Sequence, residues 1–73
     1  MAMKYLVVVE KSTNGFGAYV PDLPGCIAAA KSREEVVTLI QEAIEFHIEG
    51  LKNSGESVPQ PTSQSELVDV HAT

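Results

Sequence analysis

The chain has 73 residues, a formal net charge of −5 and one cysteine, which leaves room for one small domain and excludes an intramolecular disulfide. Ten acidic residues against five scattered basic ones argue against a protein that binds a phosphate backbone. The apolar run near the N-terminus is too short for a membrane span or a secretory signal core, so we expect a soluble cytoplasmic protein.

A β-hairpin is predicted in the first twenty residues. The sequence YLVVV at 5–9 favours a first strand and FGAYV at 16–20 a second one, because both are rich in β-branched and aromatic residues. Turn residues fill positions 12–15 between them. Asn14 and Gly15 suit positive φ angles, so the hairpin loop is expected to hold two or four residues.

A corner and a third strand follow the hairpin. Pro21 and Pro24 should interrupt strand pairing, because proline has no backbone N–H and a fixed φ. Gly25 can adopt backbone angles that other residues avoid. The sequence CIAAA at 26–30 then predicts a short third strand.

The helix signal is the strongest in the chain. Ser32 is a good N-cap and Glu35 lies at the capping-box spacing from it. Apolar residues then recur in steps of three and four, which is typical of an amphipathic helix. With Gly55 near the stop, we predict a helix over about residues 33–53.

A fourth strand is predicted at 67–70 (LVDV), after a polar, proline-containing connection. The predicted order is therefore β-β-β-α-β, an α+β fold in which an antiparallel three-stranded meander precedes one helix and a final strand. No repeat or low-complexity segment interrupts it.

Both faces of the predicted sheet are apolar, although a single helix covers only one face. Tyr5, Val7 and Val9 alternate with Leu6 and Val8, and both sets are apolar. A sheet with one wet face alternates apolar with polar residues instead. We therefore expect the uncovered face to contact another protein surface, most simply in a homo-oligomer. The residues predicted on that face are Leu6, Val8 and Tyr19.

Catalytic and metal sites are not expected. Cys26, His47 and His71 are too few and too far apart for a zinc site, and a cysteine–histidine active site has little support. A metal-dependent nuclease would need clustered carboxylates. The only candidates for that alternative are Glu10, Asp22 and Glu42. No cofactor is predicted.

The sequence from GFGAYVPDLPGC through the helix to VPQPTS resembles the HicB antitoxin family over about residues 4–70. The resemblance implies a partial ribonuclease-H-like fold whose last strand lies beside the first, and no nuclease activity. It also implies a partner, a small basic HicA-type toxin that cleaves mRNA and whose active site the antitoxin covers.

This chain departs from the family pattern at its end. Many HicB proteins carry a C-terminal DNA-binding module, but only three residues follow Val70. We therefore expect a single HicB-like domain over residues 1–73, without that module and without direct contact to nucleic acid. An orphan oligomeric domain of unknown ligand is the main alternative to a toxin-binding antitoxin.

A partner-binding surface is predicted at the proline corner and on the helix. Its acidic members would face lysines and arginines of a basic toxin. The alternative for the corner aspartate is a turn residue that binds its own backbone. The residues predicted to contact the partner are Asp22, Leu23, Glu42 and Glu45.

Overall fold

The computed structural model describes residues 3–71 and contains a three-stranded sheet covered on one face by one helix. Neighbouring strands are antiparallel, in the order β1-β2-β3. The elements are β1 (Val8–Ser12), β2 (Gly15–Tyr19), β3 (Ile27–Ala30) and α1 (Arg33–Asn53). The predicted α+β fold, with a meander followed by one helix, is confirmed.

The first strand begins at Val8, three residues later than predicted. The cause lies in its neighbour, β2. The N–H of Val20 donates to the carbonyl of Cys26 (3.2 Å), so the next residue directed at β1 is Pro21. Proline has no N–H to donate, and the ladder between β1 and β2 stops before Tyr5 and its neighbours can join it.

The hairpin has a two-residue loop, because Ser12 pairs with Gly15. The expected positive φ at Asn14 and Gly15 is wrong: among the described residues only Gly25 and Gly55 adopt it. Gly15 is needed for a different reason. A Cβ at this position would collide with the carbonyl oxygen of Ala30 on β3, so only glycine fits where the two backbones approach.

The proline corner consists of two consecutive β-turns. The N–H of Leu23 donates to Val20 (3.0 Å), and the N–H of Cys26 donates to Leu23 (3.1 Å). Each turn has a proline at its second position, and Gly25 supplies the positive φ of 84° that the second turn requires. Leu23, shared by both turns, is thereby directed into the core and is fully buried.

The helix begins and ends where its capping residues predict. The hydroxyl of Ser32 accepts a hydrogen bond from the N–H of Glu35 (3.1 Å) and donates to its carboxylate (3.2 Å). At the other end Gly55 has a φ of 74°, and the N–H of Glu56 donates to Leu51 (2.9 Å). These contacts form a Schellman motif, which satisfies the last carbonyls of the helix.

The core lies between α1 and the sheet face that carries Ala18 and Val20. Its six buried side chains come from β2, the corner and the helix. Tyr5, Val7 and Val9 pack against this cluster from the β1 side, as the alternation predicts. The buried residues are Ala18, Val20, Leu23, Cys26, Val36 and Ile40.

The predicted fourth strand is absent from residues 67–70, which have no regular structure. A strand persists only when its N–H and C=O groups meet a partner strand, and this segment pairs with none of the three strands described. Leu67 is 98% exposed and Val70 is 80% exposed. Within residues 3–71, no helix is both long enough and apolar enough to cross a membrane.

Candidate interaction surfaces

Asp22 holds the segment that follows the helix against the proline corner. One carboxylate oxygen accepts the backbone N–H groups of Thr62 and Ser63, both at 2.9 Å. The other accepts their hydroxyls, at 3.1 and 2.8 Å. We call this arrangement the Asp22 clamp. Neither predicted role of Asp22, a free rim carboxylate or a turn residue bound to its own backbone, describes these contacts.

The clamp controls the titration of its own carboxyl group. Hydrogen bonds from the backbone and hydroxyl of Ser63, and then those from Thr62, lower the pKa of Asp22 below its ordinary value. Tyr5 lies close by and donates a hydrogen bond from its hydroxyl to the carbonyl of Pro59. Burial, and to a smaller extent the negative charge of Asp22, raise the pKa of Tyr5. The two side chains together fix residues 56–63, the exit segment.

Leu23 is unavailable to a partner, contrary to its predicted place on the binding surface. Its side chain has no exposed area and packs in the core with Val36 and Ile40. The two turns around Leu23 are closed by hydrogen bonds, and the helix residues of the same cluster cover its side chain.

The solvent side of α1 carries an acidic stripe with an aromatic residue in it. Leu39, Glu42, Phe46 and Glu49 are all exposed, and their spacing of three and four places them along one line of the helix. Phe46 is 80% exposed, which is unusual for a side chain of this size. We call these four residues the helix stripe. Glu42 belongs to this stripe.

Glu45 lies on a different flank of the helix, beside an open groove. The groove has the inward-facing side chains of β1 and of the residues just before it on one side and α1 on the other, because the helix packs mainly over β2 and β3. Its volume is about 620 Å³. We call it the β1–α1 groove. Its main apolar residues are Tyr5, Val7 and Val9 on one side and Val37, Ile44 and Ile48 on the other.

The sheet face opposite the helix carries an apolar row across all three strands. Val8 is the register partner of Tyr19, which is in turn the partner of Ile27. Tyr19 is 41% exposed and Ile27 is 70% exposed. Leu6 continues the same alternation before β1. We call these four residues the outer face; it contains the three residues predicted for self-association, and Ile27 was not predicted.

The candidate catalytic and metal-binding residues lie apart among the described residues. Nowhere in residues 3–71 do three histidine, cysteine, aspartate or glutamate side chains come together in a way that could hold a metal ion. The nuclease candidates Glu10, Asp22 and Glu42 are therefore not brought together. Cys26 is a free thiol in the core, and burial raises its pKa, which disfavours the reactive thiolate.

A family model described as the HicB-like antitoxin of bacterial toxin–antitoxin systems matches residues 5–72. Among curated proteins, a UPF0150 protein of Thermoplasma acidophilum is 39% identical over 71 residues, which cover 96% of this chain and all of that one. An uncharacterised protein of Haemophilus phage HP1 is 40% identical over 92% of this chain, and the match spans half of the phage protein.

Among solved structures, a chain of the "HicA3 and HicB3 toxin-antitoxin complex" is similar to this one, with a TM-score of 0.71 and 33% sequence identity. The match covers 82% of this chain and 70% of that chain. The fold described above is thus shared with a component of a complex between a toxin and its antitoxin.

Proposed function

Because the chain belongs to the HicB-like antitoxin family of bacterial toxin–antitoxin systems, we propose that it neutralises a small, basic HicA-type toxin by direct contact. The observation that carries the proposal is the structural similarity to a chain from a HicA–HicB complex. In this role the chain performs no chemistry of its own: it covers the active site of an mRNA-cleaving partner. Both proteins then act in the cytoplasm, where mRNA is found.

The helix stripe is the surface that we propose for the toxin. Its two glutamates, Glu42 and Glu49, give it a negative charge that complements a basic partner and speeds encounter. Phe46 adds a large apolar side chain that an interface can bury, and such aromatic side chains contribute much of the binding energy. Aromatic anchors surrounded by polar residues are typical of the centre of protein interfaces.

Asp22 has no direct role in this proposal, since its carboxylate oxygens are occupied by Thr62 and Ser63. Glu45 lies one residue from Phe46 and stays a candidate for the edge of the interface. The outer face serves self-association, because exposed apolar rows of this kind favour contact with another protein surface. We also propose that the βββα order belongs to a partial ribonuclease-H-like fold.

Co-expression tests the proposal. A tagged HicA-type toxin, encoded beside the gene for this chain, is purified with and without the chain, and its cleavage of mRNA is measured. We expect a stable complex and loss of cleavage at equimolar chain. Cleavage that continues at saturating chain would contradict neutralisation. Absence of a HicA-type neighbour, with no complex, would favour the orphan oligomeric domain.

A further inference from the structure

The third strand leaves one of its edges free. β3 is the last strand in the order β1-β2-β3, so only one of its sides pairs with another strand among the described residues. The carbonyl of Cys26 faces β2, because it accepts the N–H of Val20 at 3.2 Å. Since backbone groups alternate between the two sides of a strand, Ile27 and Ala29 direct their N–H and C=O groups to the free side. These groups are available to a strand from outside the chain.

β3 lacks the features that usually keep another strand from adding to a sheet edge. Protected edges typically carry charged side chains, a proline or a bulge. β1, the strand at the opposite edge, contains Glu10 and Lys11. β3 has the sequence IAAA, pairs with β2 in a continuous register and is followed by its first charged residue, Lys31, only after the strand has ended. The edge of β3 is therefore the less protected of the two.

The helix stripe lies on the same side of the molecule as this free edge. The helix packs mainly over β2 and β3, and the β1–α1 groove lies along its other flank, where Val37 and Ile44 line it. Leu39 and Phe46 follow these two residues by two positions each, which is a rotation of about 200° around the helix. They therefore lie on the flank away from β1, and the stripe adjoins the free edge of β3.

The charge of this combined surface indicates which kind of partner it fits. A two-fold contact with a second copy would bring Glu42 and Glu49 of one chain against the same flank of the other. Like charges brought together in this way oppose association, whereas lysines and arginines of a partner would be attracted. The surface therefore favours a basic protein over another copy of this chain, whose net charge is −5.

We propose that the toxin adds one of its own strands to the free edge of β3, while the helix stripe packs against the same region of the toxin. The inference rests on the proposed function, since it takes the basic toxin as the partner. The added strand forms hydrogen bonds with the N–H and C=O groups of Ile27 and Ala29, and these bonds fix the orientation of the toxin on the sheet. Phe46 and the glutamates of the stripe then contact the toxin from the helix side.

Hydrogen exchange of the full chain, alone and in its complex with the toxin, tests the strand addition. The probe is the HicA-type toxin of the co-expression experiment. A backbone N–H that gains a strand partner exchanges only when that pairing opens. We expect the amides of Ile27 and Ala29 to exchange at least about tenfold more slowly in the complex than in the free chain.

The matched control is the opposite edge of the sheet. By the same alternation, Val9 and Lys11 direct their N–H groups to the free side of β1, and their exchange should change by less than about threefold. A toxin that is neutralised without slowing Ile27 and Ala29 beyond this control would overturn the strand addition and leave the proposed function intact. Equal slowing in the free chain would also overturn it, since a second copy or residues 64–71 would then occupy the edge. Absence of a complex would contradict both.

A substitution at Ala29 measures the same contact through affinity. Ala29→Pro removes an N–H that faces the free side, and it leaves the hydrogen bonds between β2 and β3 in place. Ala29→Thr enlarges the side chain but keeps the N–H. We expect Ala29→Pro to raise the dissociation constant of the toxin complex at least about tenfold, because a toxin carbonyl loses its donor, and Ala29→Thr to change it by less than about threefold. Exchange of the Ala18 amide, on the strand paired with β3, reports whether the sheet is intact. Equal constants for the two folded variants would overturn the proposal.

Discussion

Asp22 accepts two hydrogen bonds from Ser63, from its N–H at 2.9 Å and from its hydroxyl at 2.8 Å, across a separation of 41 residues. The contact joins the proline corner to the exit segment. It therefore holds the exit segment against the corner, and a loss of the clamp should loosen residues 56–63 before it affects the core.

Asp22→Ala tests the clamp directly. With no carboxylate, the amides of Thr62 and Ser63 lose their acceptors, and we expect their hydrogen exchange to accelerate by about tenfold or more. Amides in β2 should be unaffected. Asp69→Asn, which alters an exposed carboxylate beyond the exit segment, is the control. Unchanged protection of Thr62 and Ser63 in the alanine variant would show that the clamp does not hold the exit segment.

The clamp should also respond to acid. Hydrogen bonds from Ser63 and Thr62 lower the pKa of Asp22 in the folded chain, so its carboxylate stabilises the clamped state at every pH above the ordinary aspartate pKa. That contribution is lost as the pH falls through the lowered pKa. NMR titration from about pH 5 to about pH 2 should show the Thr62 and Ser63 amides shifting below the ordinary aspartate range. Asp22→Asn should abolish this transition; its persistence would assign it to another group.

The helix was predictable to its ends because its signals are local. Ser32 with Glu35 begins it, and Gly55 ends it within one turn of the last helical residue. The ends of the strands were less predictable, because a strand ends where its neighbouring strand can no longer pair with it. The late start of β1 depends on Pro21, which belongs to a different segment.

Gly15 and Gly17 give a matched pair for the packing of β2 on β3. A Cβ at Gly15 would collide with the carbonyl of Ala30 and lie 3.2 Å from the Cα of Lys31. At Gly17 the nearest atom, the carbonyl oxygen of Ala28, is 3.9 Å away. We expect Gly15→Ala to lower the free energy of unfolding by about 1–3 kcal/mol.

Gly17→Ala should be neutral or stabilise by up to about 1 kcal/mol, since glycine inside a strand costs backbone entropy. Urea denaturation of both variants provides the comparison. Equal destabilisation would mean that the close approach at Gly15 is relieved by a shift of β3 and does not require glycine.

The helix stripe predicts which substitutions change the association rate of the toxin and which change its dissociation rate. Glu42→Lys should slow association and reduce its dependence on salt, because long-range attraction governs encounter. Phe46→Ala should instead speed dissociation, with a loss of affinity of at least about tenfold. Glu56→Lys, an equal charge change beyond the helix end, is the control. Surface plasmon resonance against a HicA-type toxin separates the rates, and equal effects of Glu42→Lys and Glu56→Lys would remove the stripe from the interface.

The candidate surfaces were partly predictable. Strand alternation placed Leu6, Val8 and Tyr19 on one face, because the two-residue period needs no tertiary information. The burial of Leu23 and the clamp of Asp22 were missed, since both depend on contacts with distant segments. The prolines and hydroxyl residues of the exit segment are the only sequence signal for the clamp. No local pattern, however, indicates that this segment binds an aspartate 40 residues earlier.

The outer face is the surface that we propose for self-association. Ile27→Lys should disrupt this contact, because Ile27 is 70% exposed and contributes little to the core. We expect this variant to be a monomer with the fold intact.

Size-exclusion chromatography with light scattering measures this outcome. Thr13→Lys, an equal charge change in the exposed hairpin loop, should leave the mass unchanged. An Ile27→Lys variant that keeps an oligomeric wild-type mass would contradict the outer-face contact, since a charged side chain cannot be buried unpaired at that surface without a large cost.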